Sequence, residues 1–170
     1  INANTGSDEG YGLYNKKLEK ITMEGSLLAS GTKIYVPMGR IPPMVFDRLT
    51  GAHLGNVSGG GGVFALITND SHLLHGPGNK TGWIVESNAN TKDKIAQFNN
   101  GNAMVVSDKV AFLLTDESLS AINRRNQEKI WSVSCNFPYE LIMAGNTLFV
   151  GGDYEVAAFD SETGDMLWKC

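Results

Sequence analysis

Three histidines, His53, His72 and His75, are the side chains here best suited to bind a metal or move a proton near neutral pH. Their spacing builds neither site. If His72 and His75 share one strand, they point to opposite faces of it. Asp116, Glu117 and Asn136 could hold a hard cation, but they fall at no distinctive interval. The two cysteines, Cys135 and Cys170, form no C-x-x-C pair, haem-attachment run or zinc spacing. No serine or cysteine nucleophile motif is present. Nothing in these residue types reads as catalysis.

Two glycine-rich runs invite a phosphate reading, Gly59-Gly60-Gly61-Gly62 and His75-Gly76-Pro77-Gly78-Asn79-Lys80-Thr81-Gly82. Neither matches a P-loop or a dinucleotide fingerprint, and no helix follows to supply an N-terminus. The first run is read as a close backbone crossing, where side chains would not fit. The second could bring His75, Asn79 and Lys80 together with Arg40 as a small anion- or peptide-binding patch. Those four are the candidate partner-binding residues; the alternative is that they are solvated loop residues.

Charged residues make up 19% of the chain, with a net charge of −4 and a pI near 5.3. A face that neutralises phosphates would need clustered Lys and Arg. The pairs Lys16-Lys17 and Arg124-Arg125 are isolated and read as solvated turn residues, so nucleic-acid binding is not expected. No apolar run approaches the ~20 residues of a membrane helix. No leader peptide is visible, although a trimmed N-terminus would have lost one. The tripeptides at Asn56, Asn69 and Asn79 match glycosylation acceptors, a pattern that arises often by chance in such loops.

The elements that position all these residues follow from a repeat. An Asp or Asn is followed four residues later by a turn residue, and four after that by a Trp or its substitute. The copies are Asp47/Gly51/Gly55, Asn88/Lys92/Ala96, Asn123/Gln127/Trp131 and Asp160/Gly164/Trp168. First positions step by 41, 35 and 37 residues, a period that signals a repeat architecture. Each unit also has a tight turn between two apolar runs, at Gly31, Asp70, Asp108 and Gly145. Short runs rich in β-branched and aromatic residues, punctuated by Gly, Asn, Asp and Ser, read as strands joined by hairpins. No helical period is sustained anywhere, so the chain is expected to be all-β.

Each unit therefore holds four strands, A to D. Leu27, Ala65, Val105 and Ile142 are expected in the first strands, and Ile130 and Leu167 in the last. A sheet of roughly 40 residues cannot bury both faces alone, and radial stacking solves this. Trp131 and Trp168 are expected to be buried between neighbouring sheets. Cys135 and Cys170, on separate outer strands, are expected to be free buried thiols rather than a disulfide.

The run Ala158-Phe159-Asp160-Ser161-Glu162-Thr163-Gly164-Asp165-Met166-Leu167-Trp168 resembles the repeat of the quinoprotein-type (PQQ-like repeat) β-propellers. That family includes pyrroloquinoline-quinone-dependent alcohol dehydrogenases and non-catalytic outer-membrane assembly lipoproteins. The resemblance covers residues 25–170 and is specific in the third and fourth units. Gly55 and Ala96 replace the Trp in the first two, and Lys92 replaces the turn glycine in the second.

The resemblance implies an all-β propeller with blades at about 25–58, 59–100, 101–136 and 137–170. Residues 1–24 resemble the C–D hairpin of an incomplete blade, giving about four and a half blades in one domain. With no initiator Met at Ile1, the chain reads as a portion of a seven- or eight-bladed ring. It could alternatively close alone, or two chains could complete one ring.

Quinone-binding members use Ca²⁺ with carboxylate and amide ligands, a carboxylate base, a Trp platform and commonly a vicinal cysteine pair. Here the cysteines are separated, and Trp83 is the only Trp outside strand D. The expectation is a non-catalytic scaffold or binding module with no cofactor, periplasmic or otherwise extracytoplasmic. Its partners would be proteins or peptides, the remaining blades, or a second copy. A segment of a quinone- and calcium-dependent dehydrogenase is the alternative.

Overall fold

The sixteen strands among the described residues arise from runs of three to eight residues broken by turn-forming Gly, Asn, Asp and Ser. The computed structural model describes residues 23–78 and 81–170. Strands β1 (Leu28–Ser30), β2 (Lys33–Val36), β3 (Met44–Asp47) and β4 (His53–Asn56) form the first sheet. The second holds β5 (Phe64–Ile67), β6 (His72–Gly76), β7 (Gly82–Asn88) and β8 (Lys94–Gly101). The third holds β9 (Ala103–Val106), β10 (Val110–Leu114), β11 (Ser118–Asn123) and β12 (Lys129–Ser134). The fourth holds β13 (Glu140–Ala144), β14 (Thr147–Gly151), β15 (Val156–Asp160) and β16 (Met166–Lys169). Every sheet runs in sequence order, with antiparallel pairing.

The turn between the third and fourth strands is built four times to one plan. The carboxylate or amide oxygen of Asp47, Asn88, Asn123 and Asp160 accepts the backbone N–H groups two and three residues on. The fourth residue returns an N–H to the backbone carbonyl of the first, at 2.8–2.9 Å in every copy. That geometry needs positive φ, which is 71° at Gly51, 70° at Lys92, 62° at Gln127 and 79° at Gly164. Glycine adopts it freely, whereas Lys92 and Gln127 hold it at a steric cost.

The chain divides into two compact units, 1–76 with 85–95 and 77–84 with 96–170. In the first, Tyr35, Val45, Val57, Leu73 and Ala89 form one buried cluster. The Tyr35 hydroxyl donates to the Ala89 carbonyl at 2.7 Å, satisfying the one polar atom of that ring. In the second, Phe112, Leu114, Leu119, Leu148, Val150 and Phe159 anchor a larger cluster, with Cys135 among them.

Several expectations need correction. Leu27 lies just before β1 and is exposed, because the first strand starts at Leu28. Trp131 is partly rather than fully buried: it packs on Phe112, and its indole N–H donates to the Ser161 carbonyl at 3.1 Å. Trp168 makes the equivalent contact with Phe149 but is 46% exposed, since no described residue covers its outer side. Both cysteines are free; Cys135 is buried, whereas Cys170 is exposed at the end of the edge strand. Arg124 is not a solvated turn residue. It is buried, and its Nη1 donates to the carbonyls of Ser107 and Asp108. The hairpin expected within residues 1–22 lies outside the described residues.

Candidate functional site

The second unit holds a cleft of about 510 Å³ lined by Gly78, Thr81, Asn102, Asp116, Pro138, Tyr139 and Glu140. These come from connections that lie far apart in sequence: the segment before β7, the β8–β9 crossing, the β10–β11 turn and the β12–β13 connection. Asn102 joins them. Its amide donates one hydrogen to Asp116 Oδ1 at 2.8 Å and the other to the Pro138 carbonyl at 3.0 Å. Its own carbonyl oxygen lies 2.8 Å from the Thr81 hydroxyl, which is also 2.8 Å from Asp116 Oδ2. A hydroxyl has one proton, so Thr81 donates to one of these oxygens at a time.

Asn102 is only 8% exposed, so a buried amide with every donor engaged fixes the cleft floor. The Asn102 amide, and after it the Thr81 hydroxyl, hold the Asp116 carboxyl below its ordinary value. At the rim Tyr139 is exposed, and its hydroxyl donates to Asp153 Oδ1 at 2.6 Å. That bond, reinforced by the Asp153 charge, pushes the phenol pKa upward. A proline, an aromatic ring and two carboxylates on a fixed floor can receive an extended chain and a basic side chain.

The glycine-rich run 75–82 supplies Gly78 and Thr81 to this cleft, and Asp116, weighed from sequence as a cation ligand, lines it too. The four candidate residues do not line its described part. Arg40 is exposed in a bend of the first unit. Asn79 and Lys80 lie outside the described residues. His75 is a correction: it belongs to β6 rather than to a loop and is only 1% exposed. Its Nε2 donates to the Ser58 carbonyl at 3.2 Å. Burial lowers its pKa to about 4, against a smaller upward pull from the Ser58 and Gly60 backbone.

The glycine run makes that burial possible. A Cβ on Gly59 would sit 2.9 Å from Val85 and 3.1 Å from the His75 ring. A Cβ on Gly61 would meet the Arg40 and Ile41 backbone at 2.4–2.5 Å, as a close crossing requires. Asn102 was missed by sequence reading. Its only signal was an Asn placed at the crossing into a new sheet.

His72 does point away from His75, as strand alternation demands, and its Nδ1 lies 2.7 Å from the buried Glu86 carboxylate. Among the described residues no three His, Cys, Asp or Glu side chains converge as a cation site requires. Trp83 is 59% exposed. Cys135 follows β12 and Cys170 follows β16, so the two cysteines are not vicinal.

No protein-family model matches the chain, and no curated protein matches it in sequence. Its fold is matched by solved structures. BamB from Moraxella catarrhalis superposes with a TM-score of 0.70 at 17% identity, over 85% of this chain and 50% of that one. The computationally designed Ika8 protein superposes with a TM-score of 0.72 at 14% identity, over 90% of this chain and 49% of that one. This is a β-propeller fold, all-β and built of four-stranded antiparallel blades. The likeness expected from the repeat is thus met at the level of fold. The chain spans about half the length of both solved proteins. No helix among the described residues is long and apolar enough to cross a membrane.

Proposed function

We propose that this chain belongs to a non-catalytic β-propeller binding module whose partners are proteins or peptides held at the Asn102 cleft. The observation that carries this reading is the cleft itself. A buried, fully bonded amide locks three connections together and leaves Tyr139 and Glu140 outward at the rim. Rigid support with an exposed aromatic anchor is what peptide recognition uses, because little ordering entropy is lost on binding. Asp116 and Glu140 favour a peptide with a Lys or Arg beside an apolar residue. The repeat's resemblance to outer-membrane assembly lipoproteins supports an extracytoplasmic location and a larger ring of seven or eight blades.

Selection from a displayed library of random peptides tests the proposal. Wild type should enrich peptides carrying a basic residue, and Tyr139→Ala should lose them at unchanged stability. Failure to enrich any peptide, or equal binding by Tyr139→Ala, would refute the site. Dye reduction with alcohols or sugars, after adding Ca²⁺ and quinone, would favour the dehydrogenase alternative instead.

A further inference from the structure

Of the three histidines only His75 is buried, and one wall of its site is the glycine crossing 59–62 between β4 and β5. Its Nε2 donates to the Ser58 carbonyl at 3.2 Å, and the Ser87 hydroxyl reaches the same carbonyl at 3.3 Å. A Cβ on Gly59 would stand 3.1 Å from the ring, so the fit depends on glycine there. Nδ1 is buried and meets no hydrogen-bond partner among the described residues. A neutral ring tolerates this, because Nδ1 is then only an acceptor. A second proton would make it a buried donor with nothing to receive it, and would place a charge in an apolar site.

No countercharge stands ready. Opposite His75 in the neighbouring strands are Ala65 and Val85. His72, Glu86 and Asp70 interact on the other face of the same strands. In the adjoining apolar cluster the titratable group is Tyr35, whose hydroxyl is given to the Ala89 carbonyl. Lys92 turns its Nζ to the Leu54 carbonyl, the Arg40 residue is exposed, and the Glu24 carboxylate lies against Gly39. Burial, with no charged group contributing, is what lowers the His75 pKa.

A protonated ring can be relieved by moving either the strand that carries it or the wall that covers it. β6 is bonded to β5 and β7, with Leu73, Leu74 and Val85 wholly buried around it. The wall is four glycines, which bury no side chain, and open space surrounds the Cβ position of Gly60. Its backbone ties are long: Ser58 N–H to the Lys92 carbonyl at 3.3 Å and Gly39 N–H to the Gly62 carbonyl at 3.2 Å. Gly61 stands directly on the backbone of residues 39–41, so the crossing lifts only if that loop moves with it. The wall is the weaker element.

We propose that protonation of His75 frees the crossing 59–62 and the loop 39–41 in one local opening, an acid-operated catch that bares the Arg40 loop while β6 stays paired. The catch lies in the first unit and does not depend on the peptide cleft. In the open form the ring reaches water and titrates as an ordinary histidine, near 6.5 rather than about 4. Linkage then makes the opening roughly twentyfold more frequent at pH 5 than at pH 7.

Amide hydrogen exchange on the 170-residue chain tests this, read residue by residue by NMR at both pH values and corrected for the intrinsic rate. The Gly39 and Ser58 amides report the catch, and those of β6 report the sheet. The expected result is exchange at Gly39 and Ser58 about twentyfold faster at pH 5 and indifferent to low urea. The β6 amides should exchange far more slowly and respond to urea, as exchange through global unfolding does. His75→Gln keeps a neutral donor and leaves Glu24 in place, and should abolish the pH step. Gly59→Ala presses a methyl on the ring and on Val85, and should open the catch at pH 7 with β6 still protected.

Exchange at Gly39 and Ser58 that keeps pace with β6, with the same urea dependence, overturns the proposal, since the opening would then be global. A pH step that survives in His75→Gln also overturns it, by assigning the step to Glu24 or another group. If His75→Gln does not fold, Gly59→Ala decides: unchanged exchange at Gly39 and Ser58 at pH 7 rules the catch out.

Discussion

Trp131 lies flat against Gly164, where a Cβ would come within 2.8 Å of the indole Cε3. Glycine is favoured there by φ of 79°, which costs Lys92 and Gln127 strain at the same place, and is required by the ring above it. Gly145 separates the two requirements, since its φ is 59° but open space surrounds it. Gly145→Ala should cost about 1 kcal/mol from backbone strain alone. Gly164→Ala should cost about 3 kcal/mol, strain plus overpacking. Urea unfolding of the two variants measures the difference.

The two equivalent tryptophans should differ in what they contribute to folding. Trp131→Ala removes a ring covered on both sides and one hydrogen bond, for about 3 kcal/mol. Trp168→Ala removes a ring packed only on Phe149, for about 1 kcal/mol when the chain is monomeric. Equal losses in dilute solution would show that Trp168 has cover of its own within one chain.

His75 makes stability depend on pH. With its pKa lowered to about 4 from an ordinary 6.5, the unfolded chain takes up a proton first as pH falls. The stabilisation is therefore complete above pH 6.5 and is lost progressively down to about pH 4. The loss is on the order of 3 kcal/mol. Unfolding free energies of wild type and His75→Gln, measured across that range, should converge in slope only above it. A wild-type slope that matches the variant's between pH 4 and 6.5 would contradict the assignment.

Asn102→Ala removes the amide that joins Thr81, Asp116 and Pro138. A loss of about 2 kcal/mol is expected, because the Pro138 carbonyl and the Asp116 carboxylate lose donors together. Tyr139→Ala, at the exposed rim, should change stability by less than about 0.5 kcal/mol. Thermal unfolding of both variants checks the pair.

The turns were legible because their chemistry is local. An Asx side chain bonding two N–H groups, and a residue of positive φ four places on, both lie within one short stretch. Strands β2, β9 and β10 fell where alternating apolar runs ended at such turns. Of the cleft, only the glycine-rich run 75–82 and Asp116 stood out in the sequence. Asn102 gains its role from Thr81, Asp116 and Pro138, positions up to 36 residues away, and no periodicity carries that.

His75 was misread because the Gly-Pro-Gly that follows it looks like a loop, while β6 extends through Gly76. The exposure of Trp168 was hidden for a different reason. A repeat pattern shows which face a ring occupies, not whether a neighbour lies against it.

Because Trp131 meets Gly164 while Gly55 meets Lys92, these two seams between sheets, one in each unit, are each matched in volume on their own terms. Exchange two sheets, and an indole would face the Lys92 chain while Gly55 faced Gly164 across an empty space. The order of the sheets is thus written in side-chain size, although their turns share one backbone design. Such matching protects a repetitive chain from folding with its modules mispaired. It also means that no module here could be shuffled or duplicated without rewriting both sides of every seam it touched.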